Sequence, residues 1–69
     1  MAPTFKSILL DYDSSGMIQY RGVHPQAGVN YENNGWYIQK YVYNSSGNLE
    51  RIEGPLRGRW SNKEALGWR

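Results

Sequence analysis

The chain has no cysteine, a single histidine and no apolar run longer than three residues in its 69 positions. Without cysteine there is neither a disulfide framework nor a thiolate zinc site, and His24 alone assembles no metal site from histidines. The run Ile8, Leu9, Leu10, with one lysine ahead of it, falls far short of a signal-peptide core or a membrane span. The expectation is a soluble protein, kept without a secretion signal and without a membrane partner. Asn44-Ser45-Ser46 has the form of a glycosylation acceptor, but without a secretory route it is more simply a turn. Helix-forming stretches are also scarce, and no glycine-rich loop opens a helix, so a nucleotide cofactor has no support. No other cofactor is implied.

What the chain does have is aromatic residues, ten in all and six of them tyrosine, in short runs bounded by glycine, asparagine, serine or proline. That pattern predicts strands. Two stretches echo each other, DYDSSGMIQY at 11–20 and VYNSSGNLER at 42–51. Asp11, Asp13, Ser15 and Gly16 mimic the opening of a calcium loop, but the twelfth position, where such a loop closes with a glutamate, is Gly22. In the second copy Asn44 lacks the charge as well. Both copies suit a type I turn with a glycine bulge joining antiparallel strands, and two copies are too few for a solenoid.

The expected strands are residues 5–12, 17–23, 36–43 and 48–53, with turns at 13–16 and 44–47. Residues 24–35 form a long loop ended by Asn34-Gly35, and Gly54-Pro55 stops the last strand. Ser61 and Glu64 have capping-box spacing, which predicts a helical turn over 62–66, closed by Gly67, with Trp60 packed before it. The fold class is mainly β: a single domain with a small antiparallel sheet or open barrel of four to five strands, built from two hairpins and closed by a short C-terminal helical turn. Strand order stays open, because two hairpins joined by a twelve-residue loop pair in more than one way.

Catalytic equipment is sparse. His24 sits beside Pro25 with no serine or acid in a nucleophile pattern nearby. Asp11 and Asp13 are at acid–base spacing but fall at a turn, where Asp13 suits backbone hydrogen bonds. The expectation is no enzyme, and binding is the better prospect. On the third strand, alternation places Trp36, Ile38 and Val42 on one face with Lys40, as core, and Tyr37, Gln39, Tyr41 and Tyr43 on the other. Such a stripe covers a half-buried sheet, packs on a neighbouring subunit, or stacks sugars or unpaired bases. Sheet cover or a protein interface is favoured, since base-stacking sheets normally add a basic groove and Lys40 faces away. Net charge is only +2, but residues 1–50 carry −1 and residues 51–69 carry +3. Arg51, Arg57, Arg59, Lys63 and Arg69, around Trp60 and Trp68, are therefore the only candidate polyanion surface.

The ordered series IQYRGVHPQAG, WYIQKYVYNSSGN and WSNKEAL resembles a class of small β-rich proteins of tailed bacteriophages. The likeness covers about residues 11–66 and rests on Tyr20, Gly22, Pro25, Trp36, Ile38, Lys40, Tyr43, Gly47, Asn48, Trp60, Asn62 and Leu66. It departs from that pattern at EGPLRGRW, residues 53–60, and at Ser61. The resemblance implies a structural protein of the virion, such as a head decoration, neck, tail or fibre-associated component. Such a protein is made in the host cytoplasm and held by contacts with other virion proteins in many symmetric copies. Candidate contact residues are Tyr37, Tyr41 and Tyr43 on the sheet, with Arg57, Arg59 and Trp68 toward the tail end. Sheet cover, solvated charge and core packing are the plainer roles for the same residues. The alternatives are a nucleic-acid- or glycan-binding module and an inhibitor of a host protein.

Overall fold

The structure is a computed structural model that describes residues 7–68; the expected strand start at Phe5 and the terminal Arg69 lie outside that range. Four strands, β1 (Ser7–Tyr12), β2 (Ile18–His24), β3 (Trp36–Tyr43) and β4 (Leu49–Gly58), form one antiparallel sheet in the order β1-β2-β3-β4. A 3₁₀ segment, Trp60–Ala65, follows. The sheet is therefore an open meander of two hairpins, joined edge to edge by the β2–β3 pairing.

The two echoing stretches fold identically. In the first turn Asp13 N–H donates to Met17 O and Gly16 N–H to Asp13 O; in the second Asn44 N–H donates to Asn48 O and Gly47 N–H to Asn44 O. Gly16 and Gly47 both sit at φ +82°, in the left-handed region that a side chain disfavours. The side-chain oxygen of residue 13 or 44 completes each turn. Asp13 Oδ1 accepts from Ser15 and Met17 N–H, and Asn44 Oδ1 from Ser46 and Asn48 N–H, at 2.9–3.0 Å. A turn of this kind needs an oxygen there and no charge.

Among the described residues one face of the sheet is covered, and the other is largely bare around the buried Val23. Trp36 and Ile38 are fully buried, and Tyr20 and Trp60 nearly so, with Leu9, Val29, Leu66 and Trp68 packed around them. The C-terminal segment reaches this core because strand glycines leave it room. A Cβ on Gly22 would lie 2.6 Å from the Trp60 ring, one on Gly58 2.7 Å from Leu66, and one on Gly54 3.2 Å from Trp68. Two of the three indole N–H groups find backbone acceptors: Trp36 Nε1 donates to Asn30 O and Trp68 Nε1 to Lys63 O, as buried tryptophan usually does. Val42, expected in the core, is only half-buried and stands outside this cluster.

Three further sequence expectations change. First, β4 does not stop at Gly54-Pro55 but continues to Gly58. Ile38 pairs with Leu56 and Lys40 with Glu53, so β4 holds one extra residue there. Gly54, at φ +94°, takes the irregular conformation, and β4 is an edge strand, where a proline without an N–H is tolerated. Second, His24 is not a loop residue but the buried end of β2. Its Nδ1 accepts from Gln26 N–H, its Nε2 bonds to Asn34 O, and its ring meets Trp36 edge-on at 5.3 Å. Third, the capping box does not form. The core holds Trp60, so the helical segment starts there, preceded by Arg59 without a side-chain cap, and Ser61 N–H donates to Tyr31 O.

Gly22→Ala puts a methyl group into the Trp60 ring and is expected to cost about 2 kcal/mol or more. Exposed Ser14→Ala changes stability by less than about 0.5 kcal/mol; urea unfolding followed by tryptophan fluorescence checks both.

Candidate functional site: the open sheet face

Residues directly opposite each other in a sheet share a face, so the register writes out the bare side in rows. Ile8, Val23, Tyr37 and Arg57 make one row across all four strands; Leu10, Arg21 and Gln39 make the next; Tyr41 and Ile52 make a third. Val23 is buried, at 7% exposure, but the apolar side chains around it stay open to solvent. Ile8 is 55%, Leu10 43% and Ile52 44% exposed, against 0% for Ile38 on the covered side. Solitary exposed aliphatics need no explanation, but a contiguous set in one face marks a contact surface.

The charges on this face are of one sign. The three rows include Arg21 and Arg57 and no carboxylate, while Asp11 and Glu53 fall in the opposite-face row with Tyr20 and Lys40. The Arg57 guanidinium lies 5.8 Å from the centre of the Tyr37 ring, a cation–π distance. A depression of about 230 Å³ runs between Arg21, Val23, Tyr37, Gln39 and Pro55. At the end of the first row a polar cavity of about 310 Å³ is lined by His24, Asn33, Asn34, Tyr37 and Arg57 among others.

Of the six residues proposed from sequence, Tyr37, Tyr41 and Arg57 come together on this face. The other three have internal roles. The Tyr43 hydroxyl donates to Ile18 O at 2.6 Å, tying β3 to the start of β2. Arg59 Nε donates to Glu32 O, fastening the 24–35 loop. Trp68 packs on Tyr20, 5.9 Å between ring centres, on the covered side. Sequence reasoning missed Ile8, Leu10, Arg21 and Ile52. Period-two alternation along residues 7–12 carries the signal for the first two. Arg21 and Ile52 become visible only through the register.

On the covered side, Lys63 Nζ stands 4.9 Å from the centre of the Trp60 ring and 5.7 Å from that of Tyr20, with Asp11 Oδ2 at 3.6 Å. Asp11 Oδ2 also accepts from Gln19 Nε2. Both carboxylates weighed as an acid–base pair are thus engaged, Asp13 in the turn and Asp11 with Lys63 and Gln19. Among the described residues no three His, Asp or Glu side chains gather as a metal set, and no helix is long and apolar enough to cross a membrane. Burial, and then the charges of Glu64 and Asp11, push the Tyr20 phenol above its ordinary value of 10.0.

Compared with protein-family models, curated proteins and solved structures, the chain matches none.

Two outcomes are expected. Asp13→Ala removes two turn hydrogen bonds and lowers stability by about 1 kcal/mol, whereas Asp13→Asn stays within about 0.5 kcal/mol; added calcium leaves the melting temperature of the wild type unchanged. The folded state holds the Tyr20 proton more tightly than the unfolded chain, so its contribution is complete below about pH 10 and is lost as pH rises through the folded value. An absorbance titration at 295 nm should show a step above the ordinary tyrosine range, and Tyr20→Phe should remove that step.

Proposed function

We propose that the protein is a non-enzymatic structural component of a bacteriophage particle, which docks on other virion proteins through its bare sheet face. The observation that carries this reading is the exposure of Ile8, Leu10, Tyr37 and Ile52, beside the half-buried Tyr41, on one face of a domain whose other face is already covered. Aromatic and arginine side chains are the usual anchors of such contacts. Tyr37, Tyr41 and Arg57 are the anchors here, and the aliphatic rows exclude water around them. A partner that covers this face also lends stability to a small domain that no disulfide staples. The resemblance to tailed-phage proteins supplies the assembly: head, neck, tail or fibre, with the chain made in the host cytoplasm and placed in the virion.

A second reading has an observation of its own. Arg21 and Arg57 stand on the tyrosine face, so that face unites stacking rings with positive charge, as single-strand binders do. Lys40 points away, but it is not the only cation near the stripe.

Quantitative mass spectrometry of gradient-purified particles from the source phage tests the first reading. The expected result is a constant ratio to the major capsid protein across preparations, and about tenfold lower incorporation of Tyr41→Asp protein that still folds. Absence from particles overturns it. Tight binding of an oligo(dT) 20-mer that weakens steeply with salt, together with absence from particles, selects the second reading; capture of one host enzyme selects an inhibitor.

A further inference from the structure

An open four-stranded sheet has two edges, and this chain treats them differently. The β4 edge carries charges at Glu50, Arg51 and Glu53, a proline at 55, and register shifts opposite Ile38/Lys40 and Val42/Tyr43. Those are the devices by which proteins keep an edge from pairing. The β1 edge has none of them from Ser7 to Leu10: no proline, no glycine, no charge, and a regular register from Ser7 to Asp11. No described strand pairs with its outer side. Its even positions, Ile8, Leu10 and Tyr12, are 55%, 43% and 54% exposed.

We infer that β1 is a self-association edge, which pairs antiparallel with β1 of a second copy to give a continuous eight-stranded sheet. The regular stretch is centred on Leu9, and a two-fold axis there makes the pairing self-complementary. Leu9 meets Leu9 of the second copy, Ile8 meets its Leu10, and Ser7 meets its Asp11. All opposed residues share a face. Asp11, the only charged residue of β1, meets a serine and not its own like charge, so the pairing opposes no two charges. The axis is perpendicular to the sheet, so both bare faces fall on the same side. Ile8 and Leu10 of the two copies then close into one apolar band down the middle of a doubled docking face.

A face-to-face dimer is the rival arrangement, and the bare face argues against it, since it would bring Arg21 and Arg57 of two copies together with no carboxylate between them. The edge pairing does not depend on the virion reading, because it is read from the isolated chain.

Sedimentation velocity of the full chain over a concentration series tests it, with hydrogen exchange of the β1 amides as the structural readout. A monomer–dimer equilibrium is expected, in which the β1 amides pointing away from β2 gain protection as the dimer forms. Leu10→Lys should weaken the dimer at least about tenfold, while Ile52→Lys, on the same face but at the far edge, should leave it within about twofold. Circular dichroism of both variants at low concentration verifies that each is folded, and Ile8→Lys stands in for Leu10→Lys if the latter does not fold. A protein that stays monomeric at every concentration overturns the inference. So does a dimer that Ile52→Lys breaks while the outward β1 amides stay unprotected, which would place the contact on the face.

Discussion

The seat of Trp60 over Gly22 governs the rest of the molecule. A four-stranded sheet this short buries little by itself, and most of its apolar cover among the described residues comes from the C-terminal segment with the 3₁₀ stretch Trp60–Ala65. That segment reaches the sheet only where the strands present no side chain. Gly22, Gly58 and Gly54 provide three such places, under Trp60, Leu66 and Trp68. Fully burying an indole contributes about 4–6 kcal/mol of gross transfer free energy, so these contacts rank among the largest in the domain. The glycines that weaken their strands locally are what let the sheet acquire a core.

Covering one face fixes the character of the other. Among the described residues the C-terminal segment, with Val29 of the 24–35 loop, closes the side where Tyr20, Trp36 and Ile38 stand. The opposite side leaves Ile8, Leu10 and Ile52 exposed, with Tyr37 and Tyr41 partly so, and has Arg21 and Arg57 as its charges with the acids turned away. A surface of this composition favours apolar or aromatic contacts and anionic neighbours over a copy of itself. The docking role proposed for the protein and the pairing proposed for the β1 edge both follow from one asymmetry: the covered face closes the domain, and the bare face and edge are left to meet other molecules.

The covered side shows why the two acids at the first hairpin are no catalytic pair in geometry. Asp13 spends one carboxylate oxygen on Ser15 and Met17 N–H, the same acceptor role that Asn44 fills with a neutral amide in the second hairpin. Asp11 faces Lys63 and Gln19, beside a lysine that also lies over two aromatic rings. His24 has both ring nitrogens in hydrogen bonds to the backbone of the following loop, where it fastens the end of β2 to residues 26 and 34. The groups that looked most reactive in the sequence hold turns and loops in place.

What the sequence determined by itself is local. The β class, both hairpin turns, and the third strand with its buried Trp36 and Ile38 and the tyrosines opposite all follow from alternation and turn chemistry. These depend on residues within a few positions of one another. Tertiary structure decided whatever depends on a distant partner. β4 passes through Gly54-Pro55 because it lies at an edge beside β3, and the helical segment begins at Trp60 because the core holds that ring. Tyr43 and Arg59 leave the candidate surface because Ile18 O and Glu32 O are within reach, and Trp68 because Tyr20 is. Arg21 and Ile52 enter it through the strand register. Period and turn signals travel along the chain, whereas a face is made by residues that the register brings side by side from four separate strands.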